Sequence, residues 1–359
     1  MGGAERLCRR INQRFPGKSK GDTDMGSLST SELGILAAAT GGCALILTVI
    51  FGFILLPVLR HFKLGQPIRT EGPLWHQPKA GTPTMGGICF ILAFLLATAG
   101  YAVFRAVRGE GGRLIPLALA VLFALGNAAI GFIDDYCKLV KHQNEGLTER
   151  QKLLLQLVLT AAYLAMLRAS GHLETSLRIP FTDMRLELSW FAYPVYLLVM
   201  VGFVNATNLT DGLDGLASSV CATVAAFTLL LAVWRRDADS TVLAAALLAG
   251  MLGFLVFNHH PAQMFMGDTG SLFLGGVIMG CAMMAGELLL FVLAGFVFVA
   301  DMLTSLLQRW YFRLTHGKRL FPIAPIHHSF EKWGFGEYAV MGLFAGVSAL
   351  FCVLAWFGK

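Results

Sequence analysis

Long apolar runs alternate with polar segments along most of this chain. The runs are about 17 to 25 residues long, the length that a helix needs to cross the hydrocarbon core of a bilayer. They lie at approximately 32–58, 84–104, 114–133, 153–168, 188–206, 214–234, 241–257, 270–286, 288–312 and 338–357. This pattern predicts an all-α, polytopic integral membrane protein with about ten transmembrane helices.

The composition supports this prediction. Hydrophobic residues make up 56% of the 359 positions and charged residues only 14%, whereas a soluble domain carries about 25% charged residues. The seven cysteines are scattered and never form CxxC, so the sequence indicates neither a disulfide framework nor a zinc site. The net charge of +6 suits an anionic membrane surface or anionic substrates, and no nucleic-acid partner is predicted.

Two regions are predicted. Residues 1–30 are basic and polar, which predicts a disordered N-terminal tail or extension, with Met25 as an alternative start. Residues 31–359 are predicted to form a single transmembrane domain, because no soluble domain fits between the apolar runs.

The connections between the runs differ in composition. Connections after the first, third, fifth, seventh and ninth runs contain nearly all of the motif-like polar sequence, and they lie on one side of the membrane. Lysine and arginine are more frequent there once the N-terminal tail is set aside, which favours the cytoplasmic side. An active site formed by cytoplasmic loops and helix ends is therefore expected.

Adjacent carboxylates end the third run, in the segment FIDDYCK at 132–138. Neighbours on a helix point about 100° apart, so Asp134 and Asp135 do not face one way. Lys138 is within reach of either along the helix. A solvated helix end with an ion pair is one reading; a site for a metal or phosphate is the other, because ionisable residues at membrane level are commonly functional.

The fifth connection, NATNLTDGLDG at 205–215, spaces Asp211 and Asp214 three residues apart, with a glycine after each. A simple turn is the plainer interpretation. Asn205 and Asn208 add amide donors and acceptors that a turn does not need, which favours a ligand-binding loop.

The seventh connection contains Asn258, Phe265 and Asp268. Asp268 lies at a predicted helix start, where a carboxylate either caps the helix or holds a hard cation. Phe265 is either a stacking surface for a base or part of the core.

The ninth connection places Lys318 and Arg319 before His327 and His328 on a proline-containing loop. Adjacent histidines lack the i, i+4 spacing of a helical zinc pair, and phosphate contacts suit this composition better. Asp301, inside the ninth run, is expected to face the bundle and to pair internally.

Carboxylates and cations thus converge on one face of the predicted bundle. Such a set suits Mg²⁺-assisted phosphoryl transfer, in which carboxylates hold the metal and basic side chains contact phosphate oxygens.

The motifs PTMGG (83–87), FIDDYCK (132–138), NLTDGLDGL (208–216), PAQMFMGDTGS (261–271) and GKRLF…APIHH…E (317–331) resemble one family as a set. The chain resembles the phospho-MurNAc-pentapeptide translocases, a branch of the polyprenyl-phosphate N-acetylhexosamine-1-phosphate transferases. The resemblance implies ten spans, both termini outside, a homodimer in the bacterial inner membrane and a cytoplasmic active site. It implies Mg²⁺-dependent transfer of phospho-MurNAc-pentapeptide from its UDP carrier to undecaprenyl phosphate, a membrane lipid, giving lipid I and UMP in peptidoglycan synthesis.

The resemblance also implies roles for individual residues. Asp268 matches the magnesium ligand, and Asp134 and Asp135 match the essential pair near the lipid phosphate and the metal. His327 and His328 match the first two histidines of the family's triplet. Substrate-binding positions are matched by Lys79, Lys138, Lys152, Asn205, Asn208, Asp211, Asp214, Asn258 and Phe265, of which Phe265 resembles the uracil-stacking aromatic.

One position departs from the family pattern. The third histidine is Ser329 here, so the first two are expected to supply the essential contacts. A sibling transferase that uses UDP-N-acetylglucosamine is the alternative enzyme. An ion or metal transporter is the alternative from another class, although transporters place ionisable residues near mid-membrane and in repeated halves.

Overall fold

The protein is described here from a computed structural model, which covers residues 28–61, 81–109, 114–141 and 146–359. The predicted tail at 1–30 lies almost entirely outside these ranges, and so does Lys79. In chain order, the helices and strands are α1 (Thr30–His61), α2 (Gly87–Val107), α3 (Ile115–Lys141), α4 (Glu149–Ala169), β1 (Ser176–Arg178), β2 (Arg185–Glu187), α5 (Ala192–Thr210), α6 (Leu216–Arg235), α7 (Ala238–Asn258), α8 (Gly267–Ala285), α9 (Leu288–Ala294), α10 (Phe296–Leu314), α11 (Ile326–Lys332) and α12 (Glu337–Phe357).

The helices confirm the prediction of an all-α, multi-pass membrane protein. Within the described ranges, 9 helices are long and apolar enough to cross a membrane, and the bent pair α9–α10 raises the count to 10 if it forms one span. The pair meets at 79° at Gly295, whereas the sequence predicted one continuous run over 288–312. Helix α3 also continues to Lys141, beyond the apolar run that ends at 133, and Asp134 and Asp135 lie within the helix.

Helices α7 and α8 form the centre of the bundle. Most of the apolar window of α8 is buried, 78%, against 28% for α1 and for α12 at the periphery. Small residues let α8 approach α3 closely: a Cβ at Gly276 would lie 2.8 Å from the Cα of Ala124, and one at Gly280 would lie 3.0 Å from the Cβ of Ala120. Close packing of this kind is a main source of stability between helices in a membrane.

Strands β1 and β2 pair antiparallel in a hairpin between α4 and α5, a feature that the apolar pattern did not predict. The N–H of Phe181 at the tip of the hairpin donates to the carbonyl of Gly358 after α12. The buried Glu287, between α8 and α9, pairs with Arg178 of β1 at 3.0 Å and also with Arg235 at the end of α6. We call this end of the bundle the hairpin end.

The opposite end of the bundle is formed by the last turns of α3, α5, α7 and α10 and by the first turns of α4, α6, α8 and α12. We call it the site end. Parity along the chain predicted that the odd-numbered connections would gather on one side, and hydrogen bonds join residues of the third, fifth and seventh connections there.

Candidate active site

Three carboxylates from two helices meet at the site end. Asp134 and Asp135 lie near the end of α3, and Asp268 is the second residue of α8. One oxygen from each of the three carboxylates lies within 4.8 Å of the others. The close packing of α3 on α8 thus brings together carboxylates that are more than a hundred residues apart in the chain.

Two lysines share these carboxylates. The Nζ atom of Lys138, one turn beyond Asp134 on α3, lies 2.6 Å from Asp134 Oδ2 and 3.1 Å from Asp268 Oδ2. The Nζ atom of Lys152, in the first turn of α4, lies 2.5 Å from Asp268 Oδ2 and 3.3 Å from Asp134 Oδ2. By formal charge, three carboxylates against two ammonium groups leave the cluster with one negative charge in excess. We call these five residues the carboxylate–lysine cluster.

Asp135 caps helix α8. Its Oδ1 accepts the N–H of Asp268 at 3.2 Å, and its Oδ2 accepts the N–H and the hydroxyl of Thr269 at 2.9 and 2.7 Å. The first N–H groups of a helix have no partner within it and favour negative charge. The alternative in which Asp268 caps this helix is thus wrong, because Asp135 of α3 supplies the cap.

The turn before α8 depends on a glycine. Gly267 has a φ of +72°, and a Cβ there would lie 2.6 Å from Asp135 Oδ2. Left-handed φ values strain residues that carry a Cβ, and the side chain would also displace the capping carboxylate. Gly267 therefore allows Asp135 to approach the start of α8 closely, next to Asp268.

Asp268 is the most accessible of the three carboxylates. Its side chain is 18% exposed, against 2% for Asp134 and 0% for Asp135. Its Oδ1 accepts a hydrogen bond of 2.9 Å from the amide of Asn208, at the end of α5, which also donates to Ser271 at 2.7 Å. The amide orients Asp268, while the other oxygen, Oδ2, contacts the two lysines.

The cluster fits a hard divalent cation. All three carboxylates supply oxygen, the ligand type that Mg²⁺ prefers, and the excess negative charge would be neutralised by a cation. Asp268 would hold it first, since it is the accessible member, with Asp134 beside it. A cation there would take over the carboxylate oxygens that the lysines now contact, and the lysines would then be available for phosphate oxygens.

The Asp211–Gly215 loop follows α5 directly. Asp211 is partly buried, and desolvation together with the nearby charges of Asp268, Asp135 and Asp214 raises the pKa of Asp211 well above its usual range. The charge of the cluster therefore affects the pKa of Asp211 in this loop. A cation bound at the cluster would lower the pKa of Asp211 again.

Asp214 is buried and is held by the seventh connection. Its Oδ2 accepts the N–H of Ala262 at 3.0 Å and lies 2.9 Å from His260 Nδ1. Its own N–H donates to Glu337 at the start of α12, at 3.2 Å. Sequence reasoning missed His260 and Glu337, although the paired histidines in FNHHPAQ were a visible signal. These three side chains could also hold a metal ion by distance alone.

Other residues that the resemblance singled out make structural contacts. Asn205 donates to Gln156 of α4 at 2.7 Å, one turn before Asn208. Asn258 accepts from Ser218 at 2.7 Å and donates to the carbonyl of Met264 at 3.2 Å, which fixes the loop after α7. Their predicted roles in substrate binding stay predictions.

Phe265 is half-buried at the end of that loop. Its N–H donates to Pro83 and its carbonyl accepts from Gly86, both at 2.8 Å. The backbone of Phe265 thus joins the PTMGG segment to the turn before α8, and its ring stays a predicted stacking surface.

The two histidines of the ninth connection lie on the short helix α11 in different surroundings. His327 is wholly buried and pairs with Asp301 of α10, so the prediction that Asp301 pairs internally is confirmed. His328 is 19% exposed, and its Nδ1 lies 2.7 Å from Glu331. Only His328 of the two has an accessible side chain in this conformation.

Ser329, in place of the third histidine, faces the protein interior. Its hydroxyl accepts the N–H of Ile323 at 3.1 Å and donates to the carbonyl of the same residue. It fastens the proline-containing loop to α11, and its side chain points into the protein.

The chain matches two family models: the glycosyl transferase family 4 model over residues 117–286 and signature 1 of the phospho-N-acetylmuramoyl-pentapeptide-transferases over residues 79–91. It is 40% identical over 322 residues to the phospho-N-acetylmuramoyl-pentapeptide-transferase of Listeria monocytogenes serotype 4b (strain CLIP80459), covering 89% of this chain and 97% of that protein. It is 42% identical over 324 residues to the protein of that name from Bacillus cytotoxicus, covering 90% and 97%.

The fold and the cluster define a multi-pass membrane protein with a carboxylate–lysine site at one end of its helix bundle. With the likeness spanning nearly all of the relatives' length, the chain belongs to the phospho-N-acetylmuramoyl-pentapeptide-transferase family. The resemblance that the motifs carried is thereby confirmed.

Proposed function

We propose that this protein transfers phospho-MurNAc-pentapeptide from UDP-MurNAc-pentapeptide to undecaprenyl phosphate, which forms lipid I and releases UMP. The observation that carries the proposal is the carboxylate–lysine cluster at the ends of membrane-spanning helices, in a chain of this family. A phosphate on a lipid and a sugar nucleotide from the aqueous side would meet at such a position.

In the proposed reaction, an oxygen of undecaprenyl phosphate attacks the phosphorus that is attached to the sugar. A new phosphorus–oxygen bond forms, the bond to the UMP oxygen breaks, and UMP leaves with its electron pair. The second pKa of a phosphate monoester is about 6, so the attacking phosphate is largely ionised near neutral pH. The reaction therefore does not require a strong base.

The residues of the cluster have separable tasks in this proposal. A Mg²⁺ ion held by Asp268 would neutralise charge on the pyrophosphate. Lys138 and Lys152 would contact phosphate oxygens that the metal does not reach, because each has a flexible stem and is already at the open carboxylate. Asp134 would orient both lysines from its buried position.

A covalent aspartyl-phosphate intermediate is the competing mechanism. Asp135 is poorly suited to be the nucleophile, because both of its oxygens accept hydrogen bonds from the start of α8. Asp134 is buried beneath the lysines, with one oxygen accepting the N–H of Leu147 at 2.8 Å. Single-turnover incubation with the sugar nucleotide and no lipid tests this: direct attack predicts no UMP release, and a trapped phospho-aspartate would contradict it.

We further propose that the site end faces the cytoplasm of a bacterial inner membrane and that the protein is a homodimer. The basic residues of the odd-numbered connections support the orientation. Labelling of single cysteines at the site end, in sealed inverted vesicles, would test the orientation. The dimer follows from the family resemblance alone and is tested by cross-linking in membranes.

The decisive experiment compares two donors. Detergent-purified protein is incubated with Mg²⁺, undecaprenyl phosphate and either UDP-MurNAc-pentapeptide or UDP-N-acetylglucosamine, and UMP release is followed. The proposal predicts lipid-dependent UMP from the first donor alone. UMP from the second donor alone would identify the sibling transferase, and no UMP from either, in a folded sample, would leave the transporter as the reading to test.

A further inference from the structure

A buried acid–base pair links the broken span to the site end. Asp301 of α10 and His327 of α11 both have fully buried side chains, with 0% exposure, and Asp301 Oδ2 lies 2.7 Å from His327 Nδ1. The other oxygen, Oδ1, accepts the backbone N–H of His327 at 3.4 Å. Because the carboxylate accepts from both the main chain and the ring, it fixes the ring orientation and places a proton on Nδ1.

The second ring nitrogen of His327 is directed at the Asp211–Gly215 loop. Nε2 is buried and has no hydrogen-bond partner among the described residues. It packs directly against Gly212, where a Cβ would overlap it. A buried polar atom without a hydrogen-bond partner is costly, and what this placement of the ring provides is its contact with Gly212.

The same loop is held from its other side. Asp214 is anchored by the backbone of Ala262, by His260 and by Glu337 of α12. His327 contacts the loop at Gly212, two residues before Asp214 and one after Asp211. The imidazole of His327 thus supports the loop at Gly212 by direct packing.

We propose that Asp301 and His327 are positioning residues, which set the conformation of the Asp211–Gly215 loop through contact of the imidazole with Gly212. The inference rests on the proposed function, since it assigns this loop to the sugar nucleotide. In this division of tasks, the accessible His328 is the histidine that reaches substrate, and His327 acts only through the loop.

The test uses hydrogen exchange and steady-state kinetics on four variants of the full chain: Asp301→Asn, His327→Ala, Gly212→Ala and the double variant His327→Ala/Gly212→Ala. Amide exchange of a peptide spanning 209–216 is expected to become about tenfold faster in Asp301→Asn, because the ring loses its charge-assisted hydrogen bond. Exchange of the hairpin at 176–187 serves as the internal reference and stays unchanged.

Thr304→Val is the matched control. The Thr304 hydroxyl accepts the N–H of Ile326 at 3.2 Å and donates to the backbone carbonyl of Asp301 at 2.7 Å. This variant therefore loosens α11 and its link to α10 but leaves the side-chain pair of Asp301 and His327 intact. It is expected to leave exchange at 209–216 within about twofold of the parent. Equal acceleration in Thr304→Val and Asp301→Asn would show a general loosening of α11 and would overturn the proposal.

The kinetic readout separates positioning from direct catalysis. In Asp301→Asn and His327→Ala, the loss of kcat/KM for the sugar nucleotide is expected to come mainly from a KM raised about tenfold, with the lipid KM unchanged. A loss carried mainly by kcat would place His327 on the reacting phosphate and overturn the proposal.

The double variant tests the contact itself. If the imidazole acts through Gly212, the double variant is no worse than His327→Ala, because the overlap disappears with the ring. Additive losses would contradict this. Should the parent protein release no UMP from either donor, the proposed function fails, while the exchange experiment still decides the structural part of the inference.

Discussion

The two ends of the bundle each bury carboxylates, but they balance charge in opposite ways. At the hairpin end, one carboxylate, Glu287, meets two arginines, Arg178 and Arg235. At the site end, three carboxylates meet two lysines. The first cluster has one positive charge in excess, and the second has one negative charge in excess.

The choice of cation differs as well. Arginine presents a planar fork that matches a carboxylate. Because Arg178 and Arg235 come from β1 and α6, their pairs with Glu287 hold distant parts of the chain together. Lysine is a compact charge on a flexible stem and can leave one oxygen for another. Burial of carboxylates therefore does not identify a site by itself; an excess of negative charge with exchangeable cations does.

The largest expected effect separates the two ends by activity. Asp268→Asn removes the accessible carboxylate and should lower kcat for UMP release about 10³-fold, the scale of losing one preorganised electrostatic group. Glu287→Gln, at the hairpin end, should keep kcat within about threefold in the folded fraction. Equal losses in both variants would erase the distinction between the ends.

The next largest effect concerns the contribution of the hairpin end to the free energy of unfolding. Glu287→Ala leaves Arg178 and Arg235 without their carboxylate and should lower the free energy of unfolding by about 3 kcal/mol, the lower end of the range for breaking a buried pair because both arginines are partly exposed. Thermal denaturation in detergent measures it. Glu174→Gln is the matched control on the same hairpin: its pair with Arg185 is 62% and 52% exposed, so about 0.5 kcal/mol is expected.

Helix capping allows the same comparison at smaller scale. Asp135→Ala removes the cap of α8, and Asp237→Ala removes the cap of α7 at the hairpin end, where Asp237 accepts the N–H of Ser240 at 3.2 Å. Each should cost about 1–2 kcal/mol of stability. Only Asp135→Ala should also abolish UMP release; preserved turnover in that variant would show that the cap is purely structural.

The smallest effect concerns the departure from the family triplet. Ser329→Ala removes two hydrogen bonds to Ile323 and should cost about 1 kcal/mol, with the KM for the sugar nucleotide little changed. Ser329→His should be more destabilising, because a larger ring must enter a buried position. A His variant with a lower KM and unchanged stability would show that this position reaches substrate after all.

The site end was largely predictable from the sequence because it depends on which connections lie on the same side of the membrane. Apolar runs of spanning length fix which connections share a side, and the aspartates and lysines stood out at the ends of those runs. The ion pair of Asp134 with Lys138 also follows from i, i+4 spacing on a helix. The apolar run ends at 133, so it did not show that α3 continues as far as Lys141.

The hairpin end was not predictable because its partners are distant in the chain. Glu287 reads as part of a near-absent turn, and nothing local indicates Arg178 or Arg235. The same holds for the cap that Asp135 gives to α8, which spans more than 130 positions. Local sequence carries helix spacing and turn chemistry, whereas contacts of this kind depend on how the helices pack.

One measurement tests the central claim, that the negative excess at the site end makes a divalent-cation site, most directly. Binding of Mn²⁺, as a paramagnetic substitute for Mg²⁺, is followed by electron paramagnetic resonance in the purified parent protein, in Asp268→Asn and in Glu287→Gln. We expect one bound ion at the cluster in the parent and in Glu287→Gln, and loss of that ion in Asp268→Asn. Unchanged binding in Asp268→Asn, or no bound ion in the active parent protein, would contradict it.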